Sequence, residues 1–161
     1  MSKDKKETNT NNDSNNDSSN INLEDISKED LFSLELLREQ ILASIISIYG
    51  SIVAYNAALQ GVQVIIENYT KIERVPPIAP DLSGLQAAYI FLATRLIFTK
   101  VSFTRYAIVR EKKEKGEFKY SLNANLNINA ANLFGLLSNL YFVRGAEQIV
   151  ARDNNQPIFG I

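Results

Sequence analysis

The chain has 161 residues, a formal net charge of −1 and 45% hydrophobic residues, the composition of one ordinary globular domain with a modest core. It contains neither Cys nor His, which excludes disulfides, thiolate chemistry, the usual zinc and iron ligand sets and the common nucleophile–base pairs. Asn, Ile and Lys are frequent, and because their codons are AT-rich an Asn cluster is discounted before it is given a role.

The first twenty residues, MSKDKKETNTNNDSNNDSSN, hold no large apolar side chain after Met1. Such a stretch cannot bury enough surface to offset the entropy of ordering, so residues 1–22 are expected to form a disordered Asn/Ser-rich tail. It has no hydrophobic segment of the secretory type, and the expected location is cytoplasmic, with incorporation into a larger particle left open.

A helical domain is expected over 23–152. Ser27 followed by Asp30 resembles a capping box, and acidic residues crowd the helix start where the dipole favours them. Gln40 to Ile66 then carries no charge. Within it Ile41, Ile45, Ile48, Ile52, Tyr55, Leu59, Val62, Ile66 and Tyr69 recur in alternating steps of four and three, the rhythm of a supercoiled helix. Ala43, Ser47, Gly50, Ala54, Ala57 and Gly61 follow the same rhythm on the opposite side. The expectation is that the large face fills a core and the small face meets a second copy of the chain.

ERVPPIAPDLSG, residues 73–84, ends this helix, because three prolines in five residues cannot continue it, and Asp81 or Ser83 is expected to cap the next. Residues 85–121 admit two readings. Leu85, Tyr89, Leu92, Leu96, Phe103 and Tyr106 align on a helix, whereas 97–109 is rich in strand-favouring Ile, Thr, Val, Phe and Tyr. From Phe118 to Ala130 apolar and polar residues alternate strictly, with Asn at 123, 125, 127 and 129. Continuity with a clear helix start favours a long second helix. The alternative is an α+β fold with a β-hairpin at about 97–130. From Ala131 the pattern is helical, with Leu133, Leu136, Leu137, Leu140 and Val143 on one side and Gly145 as a point of weakness. Residues 153–161 are expected to be an extended tail.

The fold expected is therefore mainly α, an antiparallel three-helix bundle with a very long first helix. The residues after Val75 suffice for two further helices, which cover about two-thirds of a central one; the remaining face needs a partner. A homo-oligomer is expected, with a bilayer as the competing partner: the charge-free run spans about 39 Å as a helix, more than the roughly 30 Å of a hydrocarbon core. Against a membrane stand Asn56, Gln60 and Gln63 within the run and Arg95 in the next apolar stretch.

No P-loop, G-x-G-x-x-G or EF-hand pattern occurs, and no enzyme activity, catalytic residue, metal or cofactor is expected. Residues 1–40 carry ten acids and five bases, whereas 95–115 carry seven bases and two acids. Lys100, Arg105, Arg110, Lys112, Lys113 and Lys115, interleaved with aromatic residues, form a possible basic surface for an anionic partner. The plainer expectation is that this basic end of the second helix pairs with the acidic start of the first, and nucleic acid is not expected as a partner at a sequence pI of about 5.5. The reading that results is a non-enzymatic structural or assembly protein. A membrane-associated helical protein comes second, and a module binding anionic surfaces through 95–119 third.

Overall fold

Ser27 opens the first helix as the spacing predicts: its side chain accepts a hydrogen bond from the Asp30 backbone N–H at 3.1 Å and its hydroxyl donates to Asp30 Oδ2 at 2.7 Å. In the computed structural model residues 26–71 and 79–152 are described. They form α1 (Lys28–Thr70), α2 (Pro80–Glu114) and α3 (Asn123–Arg152), with no strand among them. The tails expected at 1–22 and 153–161 and the proline-rich stretch 72–78 lie outside the described residues.

α1 ends at Lys71, whose φ of 55° is the left-handed conformation that stops a helix. α2 begins with Pro80 in its first turn, where the missing N–H costs nothing. Neither Asp81 nor Ser83 caps it. The N-cap is Ala79, with no side-chain bond, and the Ser83 hydroxyl donates instead to Gln60 Oε1 of α1 at 2.9 Å.

The stretch that admitted a hairpin, 97–109, is helical throughout. Its threonine hydroxyls return to the helix itself: Thr99 and Thr104, like Thr94 just before them, donate to the carbonyl four residues back, at 2.8–2.9 Å. This satisfies the polar atom of each branched side chain without a neighbouring strand. Gly116, at φ 79°, turns the chain at the end of α2. The alternating segment divides where α3 begins, with 118–122 in the connection and the Asn residues from 123 onward in α3. α3 continues through Gly145 without a break.

Cross-helix pairs fix the directions. Glu29 meets Lys112, Glu39 meets Lys100 and Gln60 meets Ser83, so α1 and α2 are antiparallel. Arg95 meets Asn132 and Tyr89 meets Glu147, so α2 and α3 are antiparallel as well. α2 is the middle helix: it packs against both neighbours, while α1 and α3 make no backbone approach within 8 Å.

The core is thin and made of small side chains. Ala43, Ala87, Ala88, Val101, Leu36 and Val143 are buried with Thr94 and Asn129, and among the described residues no large side chain is fully enclosed. Leu36, Ala43 and Gly50 succeed one another at seven-residue steps on α1, as Ala87, Thr94 and Val101 do on α2. Such spacing keeps one face of a long helix against its neighbour over several turns.

Candidate functional site

The two faces of α1 take the reverse of their expected places. Small residues were expected at an interface with a second copy, and the structure seats α2 of the same chain there. Ala43 is fully buried and Gly50 buried; Ser47, Ala54, Ala57 and Gly61 are half-buried. A Cβ at Gly50 would stand 2.8 Å from Ile90 Cγ2 and 3.1 Å from a Phe91 ring carbon, so α2 approaches closer than alanine allows. At Gly61 nothing lies within 4 Å of that position. The physical reason is economy of distance: two helices inside one chain gain the closest backbone contact where side chains are smallest.

The large face, expected to fill a core, points outward. All nine residues from Ile41 to Tyr69 are exposed, from 45% at Leu59 to 86% at Tyr69. Leu42, Tyr49 and Ile65 widen the surface, and Leu133, Phe134, Leu137, Leu140 and Tyr141 are exposed on α3. Isolated apolar residues on a surface need no explanation, but a continuous row along one helix does. With roughly 90 Å² left open on each of nine large side chains, the row offers about 800 Å², the area one partner contributes to a standard stable interface.

The basic segment is largely neutralised. Lys112 Nζ is 2.7 Å from Glu29 and Lys100 Nζ 2.6 Å from Glu39, pairing the end of α2 with the start of α1. Arg110 pairs with Glu114 and Lys115 with Glu111 along α2, and Lys113 donates to the Tyr120 carbonyl. These partners raise the pKa values of Arg110, Lys112 and Lys115 and hold Glu111 below the ordinary carboxylate value, hydrogen bonding being the largest cause in each. Arg105 is half-buried beside a cleft, with no acidic partner among the described residues.

α1 and α2 are both long and apolar enough to cross a membrane by length and composition, and little of either apolar stretch is buried. The levels of the helices matter to that possibility. Tyr89 donates its hydroxyl to Glu147 at 2.5 Å, and the next residue, Ile90, packs on Gly50. Glu147 and its partner Arg144, whose side chain is 70% exposed, therefore sit beside the middle of the charge-free run of α1. A slab of hydrocarbon around α1 would also enclose that exposed pair, which is costly. The hydrogen bond lowers the Glu147 pKa and, with desolvation and the carboxylate charge, raises that of Tyr89.

Sequence reasoning did not find three features. Arg95 lies over Gly135, with its guanidinium carbon 2.9 Å from where a Cβ would stand. Asn139 Nδ2 donates to the Phe91 carbonyl at 3.2 Å and joins α3 to α2. Asn129 is buried. The strict alternation of the Asn residues drew attention to a strand, whereas the spacing 125, 129, 132 was the available helical signal.

The chain matches no family model, no curated protein and no solved structure. Among the described residues no group of three His, Cys, Asp or Glu is placed to hold a metal ion. What the arrangement presents chemically is a long apolar row on α1 and a cleft between the helices lined by both polar and apolar side chains.

Proposed function

We propose that this protein is a non-enzymatic assembly unit that self-associates through the large apolar face of α1. The supporting observation is the unbroken exposed row from Ile41 to Tyr69 in heptad steps. A helix with that row has the pattern that a second identical helix covers, each side chain entering a gap between those of its partner. About 800 Å² per copy then leaves water. Lys100–Glu39 and Lys112–Glu29 neutralise the neighbouring charges within the chain, so the row can approach a copy of itself without strong repulsion.

The test is the mass of the full chain by light scattering over a dilution series without detergent. The wild type is expected as a discrete oligomer. Ile45→Glu with Ile52→Glu, both on exposed positions, is expected as a monomer of unchanged helical content. A wild type that is a clean monomer, or a double variant that assembles unchanged, overturns this reading.

A second reading rests on the same helix, since α1 qualifies by length and hydropathy as a span. A bilayer would then cover the row. Chain that sediments with lipid and resists alkaline and high-salt washing would support it, and it would require the Arg144–Glu147 pair to be shielded by further protein.

A further inference from the structure

α3 carries an apolar face of its own, turned away from α2. Its inner side is Asn125, Asn129, Asn132, Leu136, Asn139 and Val143, buried or half-buried at steps of four and three. One residue further on, about 100° round the helix, Leu126, Ala130, Leu133, Leu137 and Leu140 repeat those steps, and all five are exposed. Phe134 and Tyr141, 72% and 78% exposed, widen the face on the side away from α2. From Tyr120 to Val143 the chain carries no charge. An unbroken apolar face of this kind marks a surface that something covers.

Length separates the possible covers. The α1 row from Ile41 to Tyr69 is about 42 Å long and the α3 row from Leu126 to Leu140 about 21 Å, so an α1 from another copy would leave half of its own row open. The α3 row matches a second α3. Four leucines with roughly 80 Å² open on each and two aromatic rings with roughly 150 Å² on each give about 600 Å² per copy, or about 1,200 Å² for a pair. That is the lower edge of the standard size for a specific interface, and smaller than the α1 row offers.

We propose that the outer face of α3 is a second interface, covered by the α3 of another copy lying antiparallel about a two-fold axis at Leu133. Leu133 then meets its own copy, Leu126 meets Leu140, and Ala130 meets Leu137, so that the small side chain of one helix makes room for the large one of the other. A parallel pair would set Arg144, whose side chain is 70% exposed, beside its own copy; the antiparallel pair holds the two about 33 Å apart. The surface is distinct from the α1 row and stands or falls separately from it. The smaller contact forms at higher concentration than the α1 pair, and with both in place one copy meets two others by different edges, so assembly continues past the pair.

The chain has no Cys of its own, so single cysteines placed in the full chain report the contact directly. At about 100 μM, where even a weak contact is populated, mild oxidation of Leu133→Cys is expected to give a disulfide-linked pair. Leu126→Cys and Leu140→Cys are each expected to stay unlinked by themselves and to link to one another when mixed, because only facing positions come within disulfide reach. Adding Leu133→Glu with Leu137→Glu should lower the mass that the wild type reaches in sedimentation at the same concentration, with helical content unchanged. Leu133→Cys that stays unlinked, or all three cysteines linking to their own copies alike, overturns the proposal. So does a Leu133→Glu, Leu137→Glu chain of unchanged mass but lower melting temperature, which would mean that the face is covered within the chain. Flotation of the wild type with phosphatidylcholine–phosphatidylglycerol vesicles, lost in that double variant, would put lipid on the face and overturns it equally.

Discussion

Three helical glycines of this chain meet three different surroundings, and one substitution at each should give three different outcomes. Alanine in a helix interior is favoured over glycine by about 0.8–1 kcal/mol when nothing else changes. At Gly61 a Cβ meets nothing within 4 Å, so Gly61→Ala should stabilise by nearly that amount. At Gly50 the Cβ would stand 2.8 Å from Ile90 Cγ2. Ile90 is β-branched, and its Cγ2 moves only with the stiff χ1 or with the backbone of α2. Overpacking of this kind costs about 1–3 kcal/mol, so Gly50→Ala should destabilise by about 1 kcal/mol net. At Gly135 the Cβ would meet the Arg95 guanidinium at 2.9 Å. That group ends a long flexible side chain and can swing aside, losing a weak bond to Asn132, so Gly135→Ala should come out near zero. Urea unfolding followed by circular dichroism, at one fixed protein concentration so that any association contributes equally, orders the three. Gly50→Ala as stable as Gly61→Ala would refute the packing of the small face of α1 on α2.

Other expectations follow from the surface. Lys100→Ala should cost under about 1 kcal/mol, because its partner Glu39 is reached across an exposed pair; a larger loss in a melt would mean that the pair fixes the register of α1 on α2. Asn139→Ala, which removes the donor to the Phe91 carbonyl, should cost about 1 kcal/mol in the same urea assay. Tyr89 and Glu147 give a pH signature. The Glu147 pKa is lowered in the folded chain from its ordinary 4.5, so its contribution is present above that value and fades as pH falls through the lowered one. The Tyr89 pKa is raised above 10.0, so that contribution is present below 10.0 and fades as pH rises through the folded value. Melting temperatures of the wild type and Tyr89→Phe should therefore differ most near neutrality and converge at both extremes; a gap independent of pH would contradict the assignment.

The helices and the Ser27 cap were legible in the sequence because capping and apolar recurrence are local signals. The side of α1 that faces inward was not. Two faces with identical rhythm can be told apart only by what lies opposite, and a small face suits a helix of the same chain as well as one from another. Seven-residue steps in Ala87, Thr94 and Val101 matched those in Leu36, Ala43 and Gly50, a correspondence between segments far apart in sequence. The β-like stretch 97–109 misled because the packing of α2 against both neighbours outweighs the small helix penalty of its branched and aromatic residues. Of the cleft, the Asn residues were visible, but their alternation concealed the helical spacing that brings 125, 129 and 132 together. Arg105 was singled out for its charge, and only the pairing of its neighbours distinguishes it from them.

Because each outer helix rests on α2 alone, the domain is held together as a chain of two contacts rather than around a shared centre. Its opening should accordingly be separable: α3 can detach while α1 remains docked, or the reverse, and amide exchange should reveal two cooperative units that share the middle helix. The same arrangement permits exchange between molecules. An α1 that lifts from its own α2 exposes a groove fitted to small residues, and the α1 of a second copy fits it equally well.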